Sequence, residues 1–271
     1  MARFQILSDL HLENPCAYDA FDVPPQAPYL ALLGDIGNVR DEGLFLFLEV
    51  QLRKFQIVFF LLGNHEPYHF SWTTARERVV SFEQTIRQRR AQKEQTDSQP
   101  LGQFVFLDRR RYDLSSDVTV LGCTLHSHVP PAQVERVSYS LNDFYHINNW
   151  TVEEHNAAHD ADRSWLNTQV SSIEKSEPNR KIVIFSHHSP TEAESAVDPA
   201  HANSSISSGF ATDMTKDPCW KSFQVQLWAS GHTHYNFDFT DEKTGMRVMA
   251  NQRGYYFAQA KGFDVEKVVE I

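Results

Sequence analysis

At 271 residues the chain is long enough to bury a substantial core, and 41% hydrophobic with 22% charged residues is ordinary for a globular protein in water. A formal net charge of −10 argues against duplex nucleic acid as a partner, because such a surface needs basic groups to replace phosphate counterions. No apolar run approaches the roughly 18 residues needed to cross a bilayer, so no membrane partner is expected.

The chain enters a strand almost at once and meets Asp9 and His11 before a signal-peptide core could form. Its three cysteines, Cys16, Cys123 and Cys219, are widely spaced and odd in number. Together these point to reduced thiols and a cytoplasmic enzyme. The length favours one domain over residues 1–271.

Residues 3–8 read as a strand that ends in Asp9-Leu10-His11. In extended chain, residues two apart point the same way, so this strand end can offer two donors to one ion. After a Pro-rich connection, residues 29–33 form a second strand, terminated by Gly34-Asp35. Residues 41–54 carry the stripe Leu44, Phe47, Leu48, Leu52 of an amphipathic helix. Residues 57–62 are a buried strand that stops at Gly63 and delivers Asn64, His65 and Glu66 before Pro67.

A charged helix is expected from residue 73 to about 95, then a loose polar stretch to Pro100. The basic clusters at 87–90 and 109–111 read as a solvated helix end and a turn. Strands at 104–107 and 118–125 follow, the second running into His126-Ser127-His128. The segment 126–150, rich in aromatic and polar residues, reads as a loop or cap. Thr151 with Glu154 is a capping box for a helix to about Lys175. The strand 181–185 delivers His187 and His188, and the long segment 190–217 reads as a second, functional loop. Residues 225–229 lead into Gly231-His232-Thr233-His234, and strands at 237–239, 246–251 and 263–269, expected to be antiparallel, complete the chain.

Five apolar strands thus end in Asp9/His11, Asp35, Asn64/His65, His187 and His232/His234. Core packing does not explain such a series, and the carboxyl edge of an α/β sheet is where sites assemble. The donors are too many for one tetrahedral zinc and too few for a calcium cage of oxygens. They fit two transition-metal ions in mixed N/O shells that share a carboxylate, with manganese, iron and zinc all compatible. The remaining histidines have plainer readings: His155 and His159, four apart on a helix, as surface or partly buried residues, and His188 as a core neighbour of the ligands. His126, His128, Tyr145 and His146 stand as candidate substrate contacts at the cap.

The series Asp-x-His, Gly-Asp, Gly-Asn-His-Glu, His and Gly-His-x-His, spread over residues 9–234, resembles the calcineurin-like metallophosphoesterase superfamily. The resemblance implies an αββα sandwich of two mixed sheets flanked by helices. It implies one metal on Asp9, His11, Asp35 and His234, a second on Asp35, Asn64, His187 and His232, and direct attack on phosphorus by a hydroxide between them. His65 would be the uncoordinated catalytic histidine, and Glu66 would orient a neighbour or cap the next helix.

Protein Ser/Thr phosphatases of this superfamily place arginines in Gly-Asp-x-Val-Asp-Arg-Gly and Arg-Gly-Asn-His-Glu. Here the runs are Gly34-Asp35-Ile36-Gly37-Asn38 and Leu62-Gly63-Asn64-His65-Glu66, without either arginine. Ser8-Asp9-Leu10-His11-Leu12 is more similar to the small cyclic-nucleotide-type phosphodiesterase branch. The expectation is therefore a hydrolase of small phosphodiesters; the alternatives are a phosphomonoesterase, in which Arg40 replaces the missing clamp, and a non-catalytic metal-binding scaffold.

Overall fold

Alternation within the strands sets the layers. The computed structural model describes residues 1–93 and 101–271, so the expected loose stretch at 94–100 lies outside the described residues. In the first sheet β1 (Arg3–Leu7), β2 (Tyr29–Leu33), β3 (Ile57–Leu61) and β4 (Gln103–Phe106) run parallel. One face, with Phe4, Ile6, Ala31, Leu33, Phe59 and Leu61, meets the second sheet; the other, with Leu30, Leu32, Val58 and Phe60, meets helices. The second sheet holds β5 (Arg110–Asp113), β6 (Val118–Gly122), β7 (Lys181–Phe185), β8 (Val225–Ser230), β9 (Phe237–Thr240) and β10 (Arg247–Ala250) in the order β5-β6-β7-β8-β10-β9. A short hairpin, β11 (Gly254–Tyr255) with β12 (Ala258–Gln259), follows. Finally β13 (Val268–Glu270) returns antiparallel to β1 and closes the first sheet's edge.

Two helices, α1 (Glu42–Lys54) and α2 (Trp72–Lys93), cover the first sheet through Leu44, Phe47, Leu48, Leu52, Ala75, Val79 and Ile86. The cap carries α3 (Val134–Ser140) and α4 (Asp143–His146). The second sheet is covered by α5 (Val152–Ser176), through Leu166, Val170 and Ile173, and by α6 (Pro218–Lys221). The result is the αββα sandwich of two mixed sheets. Among the described residues no helix is long and apolar enough to cross a membrane.

Several local expectations change. The basic run at 109–111 is a turn only at Arg109, whose φ is 45°: Arg110–Asp113 is an edge strand, where Tyr112 packs on Phe59 and the arginines pair with Glu83, Asp113 and Glu177. Charged side chains hide a strand in sequence when only one of its residues faces a core. The terminal strands are not all antiparallel, since β10 runs parallel to β8. The expected strand at 263–269 is shorter, Val268–Glu270. The 190–217 segment contains three short 3-10 turns, at Glu194–Ala196, Pro199–His201 and Ser207–Gly209.

His155 and His159 lie in the core rather than at the surface, each 1% exposed. With His126 they fill the space between α5 and the β6 strand end, beneath Trp72 and Trp150. Thr151 caps α5 by accepting the Glu154 N–H, which directs this face of the helix inward. Burial holds the His126, His155 and His159 imidazoles below their usual pKa, in the neutral form. A folded-state pKa below the unfolded value means that the unfolded chain binds the extra protons. Stability is therefore full above about pH 6.5 and falls as the pH drops through the unfolded value. His155→Gln should make the pH dependence of the urea midpoint below pH 6.5 shallower by about one proton, about 1.4 kcal/mol per pH unit. An unchanged slope would show that His155 is not neutral in the fold.

Candidate metal centre

All five polar strand ends meet at one edge of the sandwich, but the backbone is not extended there. Asp9, His11, Asp35, His232 and His234 all have positive φ, from 47° to 71°. The shared direction of each Asp-x-His or His-x-His pair therefore comes from tight left-handed turns and not from strand pleat. Such residues cost on the order of 1–3 kcal/mol each and persist only where their surroundings hold them.

Glu66 does much of that holding. It is fully buried, and its carboxylate accepts the N–H groups of Gly63 (2.7 Å), Ile36 (2.8 Å), Asp35 (3.0 Å) and Gly37 (3.4 Å). One side chain thus pins the loop after β2 to the loop after β3. Burial and the neighbouring Asp35 charge push Glu66 up to about 8, against amide donors that favour its ionised form. Gly63 completes the junction, because a Cβ there would run into the Asp35 carboxylate.

The donors form two adjoining groups. In one, the His11 and His234 Nε2 atoms are 3.0 Å apart, and His234 Nε2 is 3.3 Å from Asp9 Oδ1. In the other, His187 Nε2 is 3.1 Å from Asn64 Oδ1 and 3.5 Å from Asp35 Oδ1, with His232 beside them. Asp35 stands between the groups, Oδ1 towards His187 and Oδ2 towards His11 at 3.9 Å. Imidazole, carboxylate and amide oxygen without thiolate make a donor set suited to a pair of divalent ions.

Neighbouring groups fix the donor atoms. His187 Nδ1 donates to the Leu33 carbonyl at 2.8 Å, and His11 Nδ1 donates to Glu13 at 3.3 Å, which leaves Nε2 of each facing inward. Asn64 Nδ2 donates to Asp143 at 2.8 Å, so its carbonyl oxygen turns to the site. Burial pushes the Asp35 carboxyl up, but the His187, His65 and His11 imidazoles outweigh it and hold Asp35 well below the usual carboxylate range. Burial opposes charge on His65 as well, yet Asp35 and Glu13 raise it to about 9.

Above these donors is a cavity of about 580 Å³, lined by Asp35, Asn64, His65, His232 and His234 on its floor. Its walls come from the two cap segments, including Leu141 and Asp143 on one side and Val197, Ile206 and Phe210 on the other. The segments share a small apolar core around Val129, Val137, Leu141 and Val152, and Ser208 donates to Gln133 at 2.6 Å.

None of the four expected substrate contacts lines this cavity. His126 is buried against Trp72, with Nδ1 3.3 Å from Asp162. His128 is exposed, and its backbone N–H donates to Thr212. Tyr145 is 62% exposed, and His146 packs on Tyr68 and His69. Sequence reading missed Glu13, Tyr68, Asp143 and Tyr255. Glu13 alone carried a signal, since it extends the spacing of Asp9 and His11 by one more step.

A two-sheet sandwich with paired N/O donor groups at one edge is the arrangement that a metal-dependent phosphoester hydrolase requires. The chain belongs to the calcineurin-like phosphoesterase family, whose sequence profile matches residues 2–236. It is 25% identical over 278 aligned residues to the uncharacterized protein L509 of Acanthamoeba polyphaga mimivirus, covering 94% of this chain and 92% of that one. Similar solved folds include phosphopantetheinyl hydrolase from Mycobacterium tuberculosis, at TM-score 0.61 and 16% identity over 94% of this chain and 90% of that one. A dimetal phosphatase from Danio rerio superposes at TM-score 0.54 and 14% identity, over 92% and 86% of the two chains.

Removing the Glu66 carboxylate strands four N–H groups in a dry junction. Glu66→Ala should lower unfolding free energy by about 3 kcal/mol or more in denaturant titration. A loss below about 1 kcal/mol would show that the two loops hold each other without it.

Proposed function

We propose that the protein is a phosphodiesterase acting on a small diester, with two divalent ions at its centre. Asp9, His11, Asp35 and His234 would hold one ion, and Asp35, Asn64, His187 and His232 the other. Bound there, manganese, iron or zinc would supply Lewis acidity, making water acidic enough to attack phosphorus near neutral pH and offsetting charge on the phosphoryl oxygens. Asn64 serves as a ligand oxygen without adding negative charge.

The single observation that carries the preference for diesters is the wall of the cavity. Among the described residues no arginine or lysine lines it, whereas Asp143, Glu192 and Asp198 do. Arg40 does not compensate: its side chain is 57% exposed and lies 3.9 Å from Asp41. Beyond the His65 imidazole, the cavity gives a monoester dianion no arginine or lysine to pair with, while a diester brings one negative charge and a second organic arm. The apolar stretch Leu141, Val197, Ile206 and Phe210 suits that arm.

His65 supports catalysis over a scaffold role. Its Nδ1 donates to Glu13 at 2.9 Å, and its pKa, raised to about 9 by Asp35 and Glu13 against burial, keeps a proton on the ring at neutral pH. It is thereby suited to protonate a departing oxygen.

With Mn²⁺, Zn²⁺ or Fe²⁺ supplied, kcat/KM for bis-p-nitrophenyl phosphate should exceed that for p-nitrophenyl phosphate by about tenfold or more, and the reverse order would overturn the diester reading. Asp35→Ala should empty both ion positions in a metal analysis of the dialysed protein. Retention of two tightly held ions would sink its bridging role.

A further inference from the structure

Each of the two cap segments that wall the cavity also holds one donor of the metal centre. In the segment 126–150, α4 carries Asp143, which is 3% exposed. Its Oδ1 accepts the Asn64 side-chain N–H and the Tyr68 hydroxyl, both at 2.8 Å. The loop after β3 fixes this helix in turn: His69 donates its N–H to the His146 carbonyl (2.7 Å), and Asn148 donates its N–H to the Phe70 carbonyl (2.8 Å). In the segment 190–217, the Phe210 ring stacks on His232 at 5.0 Å and 27°, and His232 Nε2 lies 3.3 Å from the Gly209 carbonyl oxygen. The segments touch between these two supports, where a Cβ on Gly209 would lie 2.8 Å from Leu141.

Asn64 and His232 belong to the same donor group, with Asp35 and His187. The other group is braced from elsewhere. His11 donates to Glu13, the Gln252 side chain accepts the His234 N–H, and Asp9 accepts the Ser8 hydroxyl and the His232 N–H. Among the described residues, no hydrogen bond joins Asp9, His11 or His234 to either cap segment. Support from the cap is one-sided. An amide is the donor most in need of it, because its two ends are nearly equal in shape and only the oxygen binds a cation. The Asp143 oxygen accepts, so it takes the NH2 end of Asn64 and turns the carbonyl oxygen inward. The Tyr68 hydroxyl, 3.4 Å from the same nitrogen, could donate or accept and does not select by itself. The selection needs an acceptor and not a charge, so an asparagine oxygen would serve as well.

We infer that Asp143 is a positioning residue: from the cap it orients the Asn64 amide and so sets the affinity of the ion position made by Asp35, Asn64, His187 and His232. The position made by Asp9, His11, Asp35 and His234 does not depend on it. The inference rests on the two-ion reading and makes the cap a working part of one ion position only. A cap displaced from the loop after β3 would loosen that ion and not its neighbour.

Titration of the metal-free full chain with Mn²⁺ tests this by binding alone. The wild type should take up two ions, and Asn64→Ala identifies the step that its oxygen serves. Asp143→Ala should weaken that same step about tenfold to a hundredfold, and the other step by less than about threefold. Asp143→Asn, whose Oδ1 can accept both bonds, should stay within about threefold of the wild type at both steps. With Asn64 already replaced by alanine, adding Asp143→Ala should change Mn²⁺ affinity by less than about twofold, because Asp143 acts only through that amide. Asp143→Leu, close in volume and without an acceptor, takes the place of the alanine variant if the latter does not fold. Equal weakening of both steps, no weakening, no rescue by asparagine, or a loss of about tenfold that persists without Asn64 would each overturn the assignment. If the wild type takes up a single ion, the two-ion reading fails and Asp143 is decided on that ion. A loss of about tenfold in Asp143→Ala with recovery in Asp143→Asn then supports the positioning role, and no loss overturns it.

Discussion

The centre depends on one buried carboxylate. Five of its donor residues sit in left-handed turns that are unfavourable for residues with a side chain, and Glu66 gathers amide groups from the loops after β2 and β3 onto two oxygens. Without such an acceptor these N–H groups would be unsatisfied in a site from which water is excluded. The carboxylate therefore does for the backbone what the metal ions would do for the side chains. It draws groups that would separate in water into one fixed arrangement, at the position where Asp35 stands between the two donor groups.

Around that junction, polarity is graded. The innermost donors are carboxylates, an amide and imidazoles; Glu13, Asp143 and the Leu33 carbonyl orient them from behind. Further back, the buried imidazoles of His126, His155 and His188 pack against one another and carry unpartnered ring nitrogens, His126 Nε2, His155 Nδ1 and His188 Nδ1. Held neutral by burial, they back the centre without adding positive charge behind it. Positive charge at the floor of the cavity is then left to His65 and to bound cations, and among the described residues the walls above add none from arginine or lysine.

The two-sheet architecture and the meeting of the strand ends were legible because buried strands alternate, and because Asp, Asn and His recur where each apolar run stops. What stayed hidden has physical reasons. The left-handed turns are invisible where the residues are Asp and His instead of Gly. The edge strand Arg110–Asp113 carries charges, and its single core-facing residue, Tyr112, makes no pattern. Asp143 and Tyr255 reach the site from a short helix and a two-residue strand, elements with too few residues for periodicity to show. Glu66 was visible as a residue but not as a clamp, because three of its four partners are backbone groups 29 to 31 positions away.

The donors that meet here are distant along the chain. His234 lies against His11 across 223 positions, and His187 against Asn64 across 123. Closing such loops is entropically costly, so neither donor group can assemble in a partly made or loosely collapsed chain. During synthesis the N-terminal donors must wait for residue 234 to emerge before either group is complete. A metal ion that binds the assembled donors stabilises the native state by mass action. A centre that holds metal tightly on both donor groups therefore reports that segments from residue 9 to residue 234 have come together.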